Sequence, residues 1–218
     1  MTAAVPALAA TAEPSTSSTR SAGIGAVLYV LFLVTGVAVL GTPEGDAADE
    51  TWVAHFSDKG SRQQVLSAGL LLVAAGLAFL VAAAGLAVRF ATGSRAVLLA
   101  SVGTAHGILV IFAGMVGGSI AVVTDLAGMP MPRDPDLLRM SDALMFATLL
   151  LPGMLTAGLV AWCCARGGRL PRPLALGAVV VAVLSVAGLL LFPVVIWLVW
   201  LLAVAVVLLR PTASTATA

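Results

Sequence analysis

"SVGTAHGILVIFAGMVGGSI", residues 101–120, contains no Asp, Glu, Lys or Arg, and its one ionisable side chain is His106. Twenty helical residues at about 1.5 Å each cross a hydrocarbon core of about 30 Å. At about 100° per residue, Gly103, Gly107, Val110, Gly114, Gly117 and Gly118 share one side, while Ala105, Leu109, Phe112 and Val116 lie opposite. The glycine side holds two small-xxx-small pairs, Gly103/Gly107 and Gly114/Gly118, which admit a neighbouring helix at close range. His106 stands on the shoulder of that stripe. It lies about 16 Å along the helix from Arg95, and so near the bilayer midplane.

The whole chain has this character. Of 218 residues, 61% are hydrophobic and only 10% charged, where soluble domains carry about 25% charge. The net charge of +1 offers nucleic acid no basic footprint. Six apolar segments follow one another, 24–41, 63–88, 96–124, 143–165, 174–191 and 193–209. The apolar sequence from Leu174 to Leu209 is too long for one crossing. Pro193 interrupts it, so it is expected to form a helical hairpin turning at Leu191-Phe192-Pro193. An open sheet would leave its edge groups unpaired in lipid, and the runs do not alternate as barrel strands do. The expected fold is all-α, an integral membrane bundle of six transmembrane helices.

Short loops rich in Arg and Lys stay cytoplasmic. With the N-terminus inside, Arg20, Arg89, Arg95, Arg166, Arg169, Arg172 and Arg210 are inside, and Lys59, Arg62, Arg133 and Arg139 outside. This favours two cytoplasmic termini. The acidic residues agree, since only Glu13 falls inside. Residues 1–22 lack the basic start and sustained apolar core of a signal peptide and are expected to be a disordered cytoplasmic tail. Residues 23–210 form the spanning domain, and 211–218 a short second tail. Ten arginines to one lysine, with Ala, Gly, Val and Leu dominant, suggest a GC-rich bacterial gene and hence the bacterial cytoplasmic membrane.

In the first outer loop, Asp46 or Asp49 can cap a short helix carrying Trp52 and Phe56 on one side, with Gly60 as its left-handed terminus. Ser61 and Gln64 then read as a capping box for the second span, and Trp52 as an anchor at the outer lipid interface. In the later loop Asp134 caps a helix with Pro135 at its first position, running on into the fourth span. The nine outer carboxylates match no calcium-loop spacing, so no metal site is expected, and His55 beside them reads as a surface residue. Cys163 and Cys164 read as small apolar residues at a helix end, with Trp162 in the inner aromatic belt.

No phosphate loop, zinc-binding H-E-x-x-H or nucleophile G-x-S-x-G occurs. No charged residue falls within the inner part of any span, which weighs against ion-coupled transport. His106 is therefore the one intramembrane histidine. In an apolar crevice it is expected to be neutral, with Thr35, Thr156 or Ser185 near enough in depth to bond its ring. Gly69, Gly76 and Ala83 recur every seven residues in the second span and make the expected partner face for the third. Two roles stand for His106, interhelical glue and a ligand or proton site. A bis-histidine haem would require a dimer.

The stretches "RSAGIGAVLYVLFLVTG", "ADETWVAHFSDKGSRQQVLSAGLLL", "LLLPGML" and "LPRPLALGAVVVAVLSVAGLLLFP" occur in an order that resembles small multi-span membrane proteins of unknown function from high-GC Gram-positive bacteria. The resemblance implies the architecture and carries no catalytic residue or cofactor. The leading expectation is a non-enzymatic scaffold or accessory subunit, with the lipid bilayer and a protein partner or second copy as its contacts. The alternative is a small permease or lipid-handling protein with an intramembrane cavity near His106. A membrane oxidoreductase is a third reading.

Overall fold

A computed structural model describes residues 16–186 and 191–210. The described residues contain no strand. The helices are α1 (Thr16–Val39), α2 (Asp49–Ser57), α3 (Lys59–Phe90), α4 (Ser94–Ala121), α5 (Pro135–Thr148), α6 (Met154–Arg166), α7 (Arg172–Ser185) and α8 (Leu191–Leu209). A π-helical turn, Val122–Leu126, prolongs α4, and another, Leu149–Gly153, joins α5 to α6 as one bent helix. Helix α1 opens within the stretch expected to be a tail. The rest of both expected tails lies outside the described residues.

Five helices are long and apolar enough to cross a membrane among the described residues: Thr19–Val39, Lys59–Phe90, Ser94–Leu126, Pro135–Arg166 and Phe192–Leu209. This corrects the expectation of six. Helix α7 has 14 residues, about 21 Å, less than the hydrocarbon thickness. The position of the turn is corrected too. Leu191, Phe192 and Pro193 form the first turn of α8, where a proline's missing N–H has no intrahelical bond to break. The reversal therefore precedes Pro193, and residues 187–190 lie outside the described set. Helices α7 and α8 do pair antiparallel, with Trp200 Nε1 donating to the Leu174 carbonyl at 2.9 Å.

Helix α3 is the spine, packed between α1 and α4. Its contact with α4 is backbone on backbone. A Cβ on Gly69 would stand 2.6 Å from the Gly114 oxygen, one on Gly114 2.5 Å from the Gly69 oxygen, and one on Gly76 2.6 Å from the Gly107 oxygen. Gly103 meets the Ala83 side chain. The second and third predicted spans thus pack through the glycine faces read from the sequence. Outward, Leu70 is 61% and Leu176 70% exposed, an apolar exterior suited to lipid.

The antiparallel order gathers the charges. Gly23 at the start of α1 lies against Leu209 at the end of α8, and Gly25 against Ala78 in the second half of α3. Arg95 donates to the Arg166 carbonyl at 2.7 Å. All seven arginines expected inside consequently lie at one end of the bundle, and the described carboxylates at the other.

At the acidic end, α2 covers the bundle between α3 and α5. Trp52 and Phe56 stack 6.3 Å apart, but both are buried in the protein, so Trp52 is no lipid anchor. The Arg139 guanidinium lies 6.0 Å from the Trp52 ring centre while pairing with Asp49. The capping scheme also differs. Residue Ala48 precedes α2 without a side-chain cap, and Gly60 lies inside α3. Asp58 caps α3 by accepting from the Ser61 N–H at 2.7 Å, which holds its carboxyl below the ordinary value. Gln64 instead donates to the Val39 carbonyl at the end of α1, at 2.8 Å. Asp134 caps α5 with Pro135 at its first position, as expected.

Arg62 ties this cap together. It is 9% exposed, donates twice to Asp125 (Nε 3.0 Å, Nη2 2.7 Å, both to Oδ1), and reaches the carbonyls of Phe56 and Ser57 with Nη1 at 2.7 and 2.9 Å. An Arg62→Ala variant strands a carboxylate and two carbonyls, and should lose about 2 kcal/mol. Thermal unfolding in detergent reads this, and a loss below about 0.5 kcal/mol, the range of ordinary surface substitutions, would show that water replaces the guanidinium.

Candidate functional site

The polar residues midway along the bundle are assembled by four helices. By residue count from the nearest arginine, Tyr29 on α1, His106 on α4, Thr156 on α6 and Trp197 on α8 lie about 14 to 20 Å from the arginine end, at a common depth. They meet there. His106 is 3% exposed; its Nε2 is 2.9 Å from Tyr29 Oη, and its Nδ1 is 3.0 Å from both the Gly153 oxygen and Thr156 Oγ1.

A carbonyl can only accept, so Nδ1 carries the proton and donates to Gly153 and Thr156. Nε2 is then the acceptor, and the Tyr29 hydroxyl donates to it. Tyr29 Oη in turn accepts from Trp197 Nε1 at 3.4 Å. Thr156 Oγ1 donates back to the Pro152 carbonyl at 2.8 Å. The result is one directional chain from indole N–H through phenol and neutral imidazole to a backbone carbonyl. Around it, Phe79 lies edge to face with the His106 ring at 4.5 Å and Trp197 at 5.7 Å. Phe79 also touches Tyr29, with ring centres 4.9 Å apart.

The bent helix is shaped for this. Pro152 has no N–H to give to the preceding turn, and the ladder there widens to the π-helical turn Leu149–Gly153, which carries the Gly153 carbonyl to the imidazole. Of the three sequence-predicted partners, the structure brings Thr156 to His106. Thr35 is not a partner. Neither is Ser185, which lies on Gly158 with its Oγ buried and lacking a hydrogen-bond partner among the described residues. Depth alone cannot separate them, because it says nothing about the direction in which each helix points its side chains. Tyr29, Phe79, Trp197 and the Gly153 carbonyl were missed. The signal for two of them was present: Tyr29 is the only tyrosine, and Trp197 is an aromatic residue far from either interface.

Both imidazole nitrogens are engaged within the protein, so a metal or haem iron would have to displace Tyr29 from Nε2. The chain starts at an indole and ends at a carbonyl, neither of which exchanges protons at neutral pH, so it is suited to fixing geometry. Directly on the acidic side of this cluster lies a cavity of about 340 Å³. Tyr29, His106 and Trp197 form its floor. Leu33, Val34 and Val37 of α1, Val110 of α4, Phe146, Leu149, Leu150 and Met154 of the bent helix, and Val194 and Leu198 of α8 form its walls. Helix α1 packs on α3 and α8, and the cavity lies between it and the bent helix. At its rim Val34 is 50% and Val37 43% exposed on the lipid side.

The remaining candidates stay apart from this site. Cys163 and Cys164 are both free and buried. His55 flanks an outer groove with Gly41, Pro43 and Glu50, and burial pushes its imidazole below the ordinary value despite nearby Asp58. Among the described residues, no three His, Cys, Asp or Glu side chains converge as metal ligands. No family model matches the chain, and no curated protein or solved structure matches it.

Proposed function

We propose that this is a lipid-handling membrane protein which holds one hydrocarbon chain, acyl or isoprenyl, in the cavity above His106. One observation carries the reading: a cavity of about 340 Å³, within the range of small-molecule sites, walled almost wholly by apolar side chains and bordered by half-exposed valines. The polar side chains among its described lining residues, Tyr29, His106 and Trp197, are already bonded to one another. A charged or strongly polar solute would find no partner there, whereas a hydrocarbon chain entering from the bilayer needs none. On the same reading the arginine end faces the cytoplasm of a bacterial cell.

A photoreactive palmitoyl lipid tests the proposal. Irradiation in nanodiscs followed by peptide mass spectrometry should concentrate labelling on 146–154 and 194–198, and Leu150→Trp, which fills the cavity, should abolish it. Labelling spread evenly over outward residues such as Leu77, Val81 and Ile108 would sink the idea. A scaffold or accessory role would then stand in its place.

A further inference from the structure

At the arginine end, remote from the His106 cavity, α6 and α7 enclose a groove that the reading above does not use. Trp162, Ala165 and Arg166 form one wall; Arg172, Ala175, Leu176 and Val179 form the other, around about 600 Å³. The Arg166 guanidinium lies over the Trp162 ring at 4.6 Å from its centre, which fixes its height while its N–H donors stay available. Arg172, at the start of α7, lines the same groove. Neither makes an ion pair among the described residues, and no described carboxylate lies at this end.

Trp162 also borders a second depression farther into the membrane, about 500 Å³, between Leu155, Gly158 and Leu159 of α6 and Ala182, Val183 and Ser185 of α7. The two grooves are therefore consecutive along one helix pair. A cationic mouth leads into an apolar furrow, at whose far end Gly158 packs closely against Ser185 of α7.

We propose that this furrow is a binding site for an anionic phospholipid. Arg166 and Arg172 take the phosphate from two sides, Trp162 lies at the glycerol level, and one acyl chain follows the α6/α7 furrow toward Ser185. Charge complementarity selects this occupant: a zwitterionic lipid brings its own cation beside the phosphate and leaves the two arginines without net compensation, and a second protein helix would have to bury them.

Native mass spectrometry of the purified chain, with phosphatidylglycerol and phosphatidylcholine offered in equal amounts, tests this. Phosphatidylglycerol should be retained preferentially. Each of Arg166→Gln and Arg172→Gln should weaken it by about fivefold, and the double variant by about 30-fold. Arg20→Gln/Arg210→Gln removes the same charge at the same end but outside the furrow, and should leave the preference intact; thermal unfolding checks that all variants fold. Inorganic phosphate in large excess should not displace the lipid, because the chain supplies part of the affinity. Equal retention of the two lipids, an equal loss in the Arg20/Arg210 variant, or displacement by phosphate alone would each overturn the proposal.

Discussion

His106→Ala is expected to be among the most damaging single changes in this protein, lowering unfolding stability by about 4 kcal/mol. Removing a ring packed against Phe79, Tyr29 and Trp197 leaves a void beside an existing cavity, and large-to-small changes in cores cost about 2–5 kcal/mol. The Tyr29 hydroxyl also loses its acceptor. A buried donor left alone costs about 1–3 kcal/mol, reduced in a membrane because the unfolded reference state finds partners as well. His106→Phe separates the two terms. It keeps most of the volume and should lose about 2 kcal/mol, while adding Tyr29→Phe to it should cost little more, since the hydroxyl's partner is already gone. Denaturant titration in micelles measures all three. If His106→Ala and wild type unfold together while lipid labelling of the cavity disappears, the ring belongs to ligand recognition and not to the scaffold.

The second large effect concerns two glycines that look equivalent in the sequence. Gly114→Ala should destabilise by about 2 kcal/mol and Gly114→Leu by about 3 kcal/mol or more, because the new Cβ meets the Gly69 carbonyl at 2.5 Å and the Val73 nitrogen at 2.9 Å. Those are backbone atoms, so no side-chain rotation relieves the contact and α3 must move away. Gly118→Ala should be neutral or slightly stabilising, since its Cβ has only ordinary contact with Leu66 at 3.6 Å and alanine favours the helix. Thermal unfolding of the pair is the check. A Gly118→Ala cost equal to that of Gly114→Ala would mean that the helices cross elsewhere.

These expectations bear on the proposed function through rigidity. The glycine contact locks α4 to α3, and the His106 chain fixes α4 to α1, the bent helix and α8. The cavity floor is thereby held from four sides, while its rim, at Val34 and Val37, rests on a helix whose packing among the described residues is against α3 and α8. A chain could enter without disturbing the hydrogen bonds below it.

How far the sequence could lead depended on the kind of interaction. Hydropathy and length sufficed for an all-helical chain built for lipid, because backbone groups must be satisfied within each segment there. The glycine period of 101–120 and the repeat Gly69, Gly76, Ala83 identified the α3–α4 contact, because close packing leaves its mark as small residues. Asp134-Pro135 marked a helix start by local chemistry alone. Span count was less legible: an apolar stretch from Leu174 to Leu209 says that two helices exist, but the break between them depends on which residues pack, and among the described residues α7 is 14 residues long.

The cluster at His106 shows the boundary most plainly. Its depth follows from counting residues, and Thr156 could be named on that basis together with Thr35 and Ser185. Choosing among them needs the rotation of each helix about its axis, which is set by contacts from other helices. Only the folded bundle turns Tyr29 and Trp197 inward and carries the Gly153 carbonyl, through the distortion at Pro152, to the imidazole. The sequence by itself determined that a helical bundle with an ionisable ring at mid-membrane would form, because burial of apolar length is a local property. The partners of that ring, the cavity above it and the arginine-lined furrow were decided by the tertiary structure, because each is made of side chains from helices whose relative rotation no single segment encodes.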